Sequence, residues 1–193
     1  MSDPGLIPDP VVPVDPGVLT DPAALADLYP GLPGAPPAGP TGAPSLGNSL
    51  TLDDGDLVTD PGTGGLAGNQ GPEALLQALL LAVETQLGTD RLNTTFGFDH
   101  LALGRYALEA PARKEYIRME LVRCLSADRR VADVREVFFQ DDQRYRDLRP
   151  DLAPATYERI VRTARVNREY TVYAIIETIA GSTLALTSGG RLD

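Results

Sequence analysis

The chain has 193 residues, a length that favours one modest domain, alone or with an appendage, over two full domains. Its 17 Lys and Arg against 27 Asp and Glu give a formal net charge of −10, so we expect no binding to nucleic-acid phosphates. The single cysteine, Cys124, excludes an internal disulfide framework and a cysteine-rich zinc site. Without a secretory signal or an apolar stretch of transmembrane length, we expect a chain made in the cytosol and free of the membrane.

Residues 1–48 differ in composition from the rest of the chain. Twelve of the 17 prolines fall in the first 44 residues, and all 17 Lys and Arg lie at or after Arg91. Asp-Pro pairs at 3–4, 9–10, 15–16 and 21–22 form a six-residue repeat. Such a segment favours an extended or polyproline II conformation over a helix or a central strand. We therefore expect residues 1–48 to form an extended docking arm and residues 49–193 to form the folded domain.

The composition of the arm predicts the chemistry of its partner. Aspartates alternate with aliphatic residues such as Val11, Val12 and Leu19, and the arm contains no basic residue. We expect it to lie in a basic partner groove with apolar pockets for these three side chains. A polyproline II chain rises about 3.1 Å per residue, so the arm can span on the order of 100 Å. The alternative is that the arm packs on its own domain.

The first half of the domain predicts two helices. Residues 49–58 alternate weakly around an Asp-Asp-Gly turn, and a glycine-rich loop follows. A leucine stripe at i, i+4 spacing predicts a helix from Pro72 to Leu87, with Gly88 as its C-terminal cap. Residues 89–108 are predicted to form a loop, and residues 111–125 a second helix.

A strand is predicted over residues 131–139. If side chains alternate strictly, Val137 and Phe139 lie on one face of the strand, and Val134 and Phe138 do not lie on that face. Both faces carry apolar residues, so we expect both to be at least partly covered.

The remaining residues predict one more helix and a hairpin. Residues 140–151 are charged and loop-like, and residues 154–166 have helical spacing. Residues 170–179 form the strongest predicted strand, which turns at Gly181 into a partner over residues 183–187. The order of elements predicts a small α+β domain with helices on one face of a largely antiparallel sheet.

The sequence offers little catalytic chemistry. The only histidine, His100, has no serine or cysteine motif beside it. The Gly62–Gly68 loop resembles a phosphate-binding loop, but its spacing is not G-x-G-x-x-G and no Lys or Arg lies near, so a plain linker is predicted. Glu109, Glu115 and Glu120 supply carboxylates, but the chain has no Trp to line a sugar cleft. We expect no enzyme activity, no cofactor and no metal.

One combination of motifs does resemble a known family. Gln77 lies near the start of the first helix, the segment Thr94-Thr95-Phe96-Gly97-Phe98 follows it, and Asp128-Arg129-Arg130-Val131 ends the second helix. This order is similar to the baseplate wedge family of contractile tails, often labelled gene-twenty-five-like lysozyme. That family has an aromatic-Gly pair after the first helix and Glu-Pro-Arg-Val at the end of the second. The resemblance covers roughly residues 50–190.

The resemblance carries over residue by residue. Phe96 and Gly97 occupy the aromatic-Gly pair, while Arg130 and Val131 are retained from the second motif. Asp128 stands where the family has Glu, and the position after it has Arg in place of Pro. From their residue types, we expect Phe96 to pack under the first helix and Gly97 to adopt a φ that other residues avoid.

The resemblance implies a structural subunit of a contractile-tail baseplate, in a phage, an extracellular injection system or a type VI secretion system. It would join the central hub or spike to the wedge and the first sheath layer, in a particle assembled in the cytoplasm. The resemblance also implies that residues 170–187 offer edges for strand addition, as handshake strands of a sheath subunit do. It does not imply lysozyme activity.

The motif at the end of the second helix is expected to act in assembly. Asp128 and Arg130 would exchange charge-assisted hydrogen bonds with neighbouring chains, and Arg130→Ala would change stability by less than about 1 kcal/mol. The alternative is an ordinary salt bridge within the loop. Two other functions remain open: a head-to-tail connector or other adaptor of a phage particle, and a small enzyme that binds a nucleotide at Gly62–Gly68.

Overall fold

A computed structural model describes residues 44–105 and 109–191, so the predicted contacts of Val11, Val12 and Leu19 lie outside the described residues. The elements, in chain order, are β1 (Asn48–Leu50), β2 (Leu52–Asp53), β3 (Asp56–Leu57), β4 (Gly68–Gln70), α1 (Pro72–Glu84), α2 (His100–Arg105), α3 (Ala110–Ser126), β5 (Val131–Phe139), α4 (Gln143–Leu148), α5 (Pro154–Asn167), β6 (Glu169–Thr178) and β7 (Thr183–Arg191).

The main sheet has three antiparallel strands in the order β5-β6-β7. Strand β6 is central and pairs along its whole length with β7, from Glu169 opposite Arg191 to Glu177 opposite Thr183. The remaining strands form two small antiparallel pairs, β1 with β4 and β2 with β3. The predicted α+β class with a largely antiparallel sheet is confirmed.

Strand β5 departs from strict alternation. Its register with β6 shifts between Val131 and Asp133 and again between Val134 and Glu136. Each irregularity inserts a residue that has no direct partner, which reverses the alternation beyond it. As a result Val134 packs in the same cluster as Val137, and its predicted separation from that face is wrong.

Helices lie against both faces of the sheet, as the apolar residues on both faces of β5 predicted, whereas the order of elements predicted helices on one face only. The larger core lies between one face and helices α1 and α3, and includes Leu75, Leu121 and Phe139. The smaller core lies on the other face, where Phe138 and Tyr173 pack with Tyr145 of α4. Phe138 and Phe139 thus belong to opposite cores, and helices must shield each of them from water.

Helix α1 ends three residues earlier than predicted. Its C-cap is Thr85, and Gly88, with φ of +80°, lies in the loop beyond the helix and is not its cap. The backbone leaves the helix because Leu87 N–H donates to the Phe98 carbonyl at 2.9 Å, and Phe98 N–H donates to the Thr85 carbonyl at 2.8 Å. A long-range backbone pairing therefore replaces the last predicted helical turn.

Two short helices fall in segments that were predicted to be loops. Helices α2 and α4 have six residues each, too few to show a helical repeat of apolar residues in the sequence. Asp99 Oδ1 accepts from Ala102 N–H at 3.1 Å and so caps the start of α2. The predicted helices over 111–125 and 154–166 are confirmed, and strand β7 is longer than its predicted 183–187.

The N-terminal edge of the described domain is held by side chains. Gln77 of α1 accepts from Leu52 N–H at 2.9 Å and donates to the Leu50 carbonyl at 2.8 Å. The predicted Asp-Asp-Gly turn joins β2 to β3, with both Asp54 and Gly55 at positive φ. Leu46, ahead of the predicted boundary at residue 49, is buried in the larger core.

Candidate functional site

Asp128 and Arg130 form one paired unit where α3 passes into β5. The backbone turns tightly there, because Val131 N–H donates to the Asp128 carbonyl at 2.9 Å. Arg130 Nε donates to Asp128 Oδ1 at 3.0 Å, and Nη2 donates to Oδ2 at 2.6 Å. The backbone N–H of Arg130 also donates to Oδ1 at 2.9 Å. This is the two-pronged geometry that makes an Arg–carboxylate pair strong and specific.

The same guanidinium group reaches the first described segment of the chain. Arg130 Nη1 donates to the Leu46 carbonyl at 3.0 Å. A Cβ at Gly47 would lie 3.1 Å from that nitrogen, so a larger residue there would crowd it. The Arg130 and Asp128 side chains are 24% and 23% exposed, so both are partly buried.

The pairing also shifts the titration of both groups. The hydrogen bond from Arg130 is the largest cause that lowers the pKa of Asp128, and the same bond raises the pKa of Arg130. Both groups therefore stay charged at neutral pH. The structure places the pair within one chain, as the salt-bridge alternative expected, so Arg130 is not the exposed ion-pair residue that the small predicted stability change assumed. Val131 beside it is partly buried against the larger core.

Phe96 and Gly97 lie in the loop between α1 and α2. Gly97 has φ of +109°, and a Cβ there would meet the Thr85 carbonyl oxygen at 2.6 Å, which agrees with the predicted need for glycine. The segment is fixed chiefly by Phe98, which is 2% exposed, whereas Phe96 is only partly buried. The residue predicted to pack under the first helix thus contributes less burial than its neighbour two positions on.

Two residues that the sequence analysis did not assign hold this loop to α3. Arg123 Nη2 donates to the Gly97 carbonyl at 2.6 Å and to Glu120 Oε1 at 2.6 Å, while Nε donates to Glu120 Oε2 at 2.8 Å. Glu120 is 8% exposed and also accepts from Asp99 N–H at 3.0 Å. Only the position of Glu120, directly before the apolar residue Leu121 of α3, could have indicated its burial from the sequence.

The Gly62–Gly68 loop is occupied by a carboxylate of the chain itself. Asp60 Oδ1 accepts from Gly62 N–H at 2.9 Å, and Oδ2 accepts from the Thr63 hydroxyl at 2.7 Å. The hydrogen bond from Thr63 is the largest cause that lowers the pKa of Asp60. The Gly62 N–H and the Thr63 hydroxyl are thus already bonded to an acidic group of the chain itself, which disfavours their use in binding a nucleotide phosphate.

Other candidate chemistry is absent from the described part of the chain. Residues 44–105 and 109–191 contain no group of three or more His, Cys, Asp or Glu that could hold a metal ion. Over the same residues, no helix is both long and apolar enough to cross a membrane. His100 Nε2 donates to the Val83 carbonyl at 2.8 Å, and Cys124 is buried, with the pKa of its thiol raised to about 11 by desolvation.

The two edges of the main sheet differ in character. Strand β5 is bulged and carries charged side chains, features that oppose the pairing of a further strand. Strand β7 runs nine residues in regular register, and all but its last residue, Arg191, are uncharged. Because β6 is central and paired on both sides, only β7 of the predicted segment 170–187 is an edge strand of the described sheet.

The backbone groups that β7 directs away from β6 follow from its register. Thr178 N–H donates to the Ser182 carbonyl at 2.9 Å, so even-numbered residues of β7 bond to β6. Odd-numbered residues therefore direct their N–H and C=O groups away from β6, and no strand of the described residues pairs with them. These residues are Thr183, Ala185, Thr187, Gly189 and Arg191.

Comparisons of the chain with protein-family models, with curated proteins and with solved structures find no match.

Proposed function

We propose that this chain is a structural subunit of a contractile-tail baseplate, which joins the central hub or spike to the wedge and the first sheath layer. The proposal rests on the motif resemblance of Phe96-Gly97 and Asp128 to Val131. The observation that supports it best is the regular, nearly uncharged edge of β7, which has the form needed for adding a strand from a neighbouring subunit.

The proposed partners are other wedge subunits, hub or spike proteins and sheath proteins. A strand added to β7 would bond to the odd-numbered residues, and residues 1–48 would bind a basic partner groove with apolar pockets. The proposed location is the tail baseplate of a virion or the equivalent part of an injection-system particle, with no contact to nucleic acid or membrane.

The edge is tested by Thr187→Pro. Proline removes an N–H that points away from β6, so the sheet within the chain keeps its bonds while an added strand loses one. We expect a folded subunit whose recovery in purified particles falls. Thr187→Ala is the matched control, because it removes the side chain and keeps the N–H. Equal recovery of both variants would contradict strand addition at β7.

The assignment to a baseplate is tested by neighbours. Cross-linking in the cells that make the protein, followed by mass spectrometry, should join it to hub, wedge and sheath chains. Cross-links to portal or head-completion proteins would instead support the connector alternative. Specific nucleotide binding by the purified protein would support the enzyme alternative and overturn both structural functions.

A further inference from the structure

Helix α5 presents one face that the domain does not cover. None of its residues is fully buried, and the side toward the sheet is only half-buried. On the opposite side the helix exposes apolar and basic residues together, and Val166 there is 76% exposed. We call this surface the α5 outer face; its exposed residues are Ala155, Glu158, Arg159, Arg162, Arg165 and Val166.

The arginines of the α5 outer face form no ion pair with a described residue, although Glu158 lies four positions before Arg162. They are Arg159, Arg162 and Arg165, in a chain that is strongly acidic overall. Most other arginines of α3, β5 and α4 do pair, as Arg123 does with Glu120. At spacings of three and seven residues from Arg159, Arg162 and Val166 lie on one side of the helix. With three Arg and one Glu, the face keeps a formal charge of +2 and combines it with an exposed aliphatic side chain.

The chain itself contains a segment with the complementary composition. Residues 1–43 hold five acidic residues and no Lys or Arg. Aliphatic residues, Val11 and Val12 among them, lie between the acids, so an extended stretch offers both carboxylates and apolar contacts. The five acids are Asp3, Asp9, Asp15, Asp21 and Asp27.

We propose that the α5 outer face binds residues 1–43 of the same chain. A flexible tether gives the segment an effective concentration on the order of millimolar, which a separate copy reaches only in concentrated solution. Length is no obstacle, because 43 residues at about 3.1 Å each exceed the width of a domain of this size. The contact forms in the isolated chain, before any partner groove takes up residues 1–48, so it does not rest on the proposed baseplate function.

The contact is tested in the full chain with a spin label on the helix. Ala155→Cys places a nitroxide label at an exposed position, while Cys124 is buried and its thiol pKa is about 11, so it resists labelling. We expect loss of the methyl signals of Val11, Val12 and Leu19 through paramagnetic broadening. The loss should disappear near 1 M salt, where the screening length falls to about 3 Å.

Matched charge variants separate the site from general attraction. In the labelled protein, Arg159→Gln with Arg162→Gln should restore the methyl signals. Arg91→Gln with Arg129→Gln removes the same charge at exposed positions elsewhere and should leave the broadening intact. Signals that never broaden, or that respond equally to both variants, would overturn the proposal. A second sample mixes spin-labelled chains with isotope-labelled chains that carry no spin label. Broadening of equal size in this mixture would also overturn the proposal, because the occupant would then be a second copy.

Discussion

The side chain of Arg130 donates a hydrogen bond of 3.0 Å to the backbone carbonyl of Leu46, 84 positions earlier in the chain. Leu46 is buried in the larger core and lies three residues after the last residue of the undescribed N-terminal segment. The bond therefore joins the start of the described domain to the junction of α3 and β5. The same guanidinium is paired with Asp128, so one side chain fixes the α3–β5 turn and holds it to the segment at Leu46.

Truncation of Arg130 should destabilise the domain. Arg130→Ala leaves Asp128 and the Leu46 carbonyl without their donor, and we expect a loss of about 2 kcal/mol in the free energy of unfolding by urea. Arg130→Lys keeps the charge without the two-pronged geometry and should lose about half as much. Arg129→Ala, an exposed neighbour, should stay within about 0.5 kcal/mol. A loss below about 1 kcal/mol in Arg130→Ala would instead support the expectation that Arg130 acts in assembly with neighbouring chains.

The Asp128 carboxylate should make stability depend on pH in the acid range. Its pKa is lowered in the folded chain, chiefly by the bond from Arg130, so the folded state binds protons less readily than the unfolded state. The stabilisation is complete above the unfolded pKa of about 4 and is lost as pH falls through the lower folded value. Asp128→Asn should therefore destabilise the chain at pH 7, and the difference should shrink toward about pH 2. A difference that is constant with pH would contradict this.

Alanine at position 97 should be far more damaging than at other glycines with positive φ. A Cβ at Gly97 would overlap the Thr85 carbonyl oxygen at 2.6 Å and the Leu87 nitrogen at 2.9 Å. We expect Gly97→Ala to lose more than about 3 kcal/mol or to fail to fold. Gly64 has φ of +69° and no atom within 4 Å of where a Cβ would lie, so Gly64→Ala tests the cost of positive φ without an overlap. We expect it to lower the free energy of unfolding by about 1–2 kcal/mol. Equal losses measured by thermal unfolding would contradict the overlap.

The buried Glu120 should contribute more than an exposed member of the same helix. Glu120→Gln weakens the bonds that hold Arg123 and the Asp99 N–H, and we expect a loss of about 2 kcal/mol by urea unfolding. Glu115→Gln is the matched control, because Glu115 pairs with Arg118 at the surface and its side chain is 69% exposed. Its loss should stay within about 0.5 kcal/mol. Similar losses for the two variants would mean that burial does not strengthen the Glu120 pair.

The purified protein should not hydrolyse peptidoglycan. Glu120 is paired with Arg123 and Glu115 with Arg118, so neither is a free carboxyl placed to protonate a leaving group. We expect a suspension of cell walls to keep its turbidity when the protein is added, while a known lysozyme clears it. Clearing that disappears in Glu115→Gln or Glu109→Gln would contradict this expectation.

The sequence predicts the long elements well and the short ones poorly. Helix α3 and strand β5 follow from repeats of apolar residues that extend over many positions. Helices α2 and α4 were missed because six residues are too few to show such a repeat. The early end of α1 depends on pairing with Phe98, a contact that no local pattern around Thr85 reveals.

The candidate site was predicted only in part. The positive φ of Gly97 was expected from residue type, and the pairing of Asp128 with Arg130 was expected only as the alternative of a salt bridge within the loop. The bonds from Arg123 to Gly97 and from Arg130 to Leu46 join residues 26 and 84 positions apart. Contacts of that range depend on the packing of the whole domain and cannot be read from residue spacing.

The placement of Phe138 and Phe139 in opposite cores limits how the domain can associate with other chains. With helices against both faces, a second sheet could not stack on the parts of the described sheet that the two cores cover. The sheet can still be extended sideways, in its own plane, and the regular edge for that is β7. A strand bound there by backbone groups alone can shift by two residues and recover the same bonds. Side chains beside the edge must therefore select the correct alignment. Arg191, the only charged residue of β7, lies at the end of the strand and can distinguish one alignment from another.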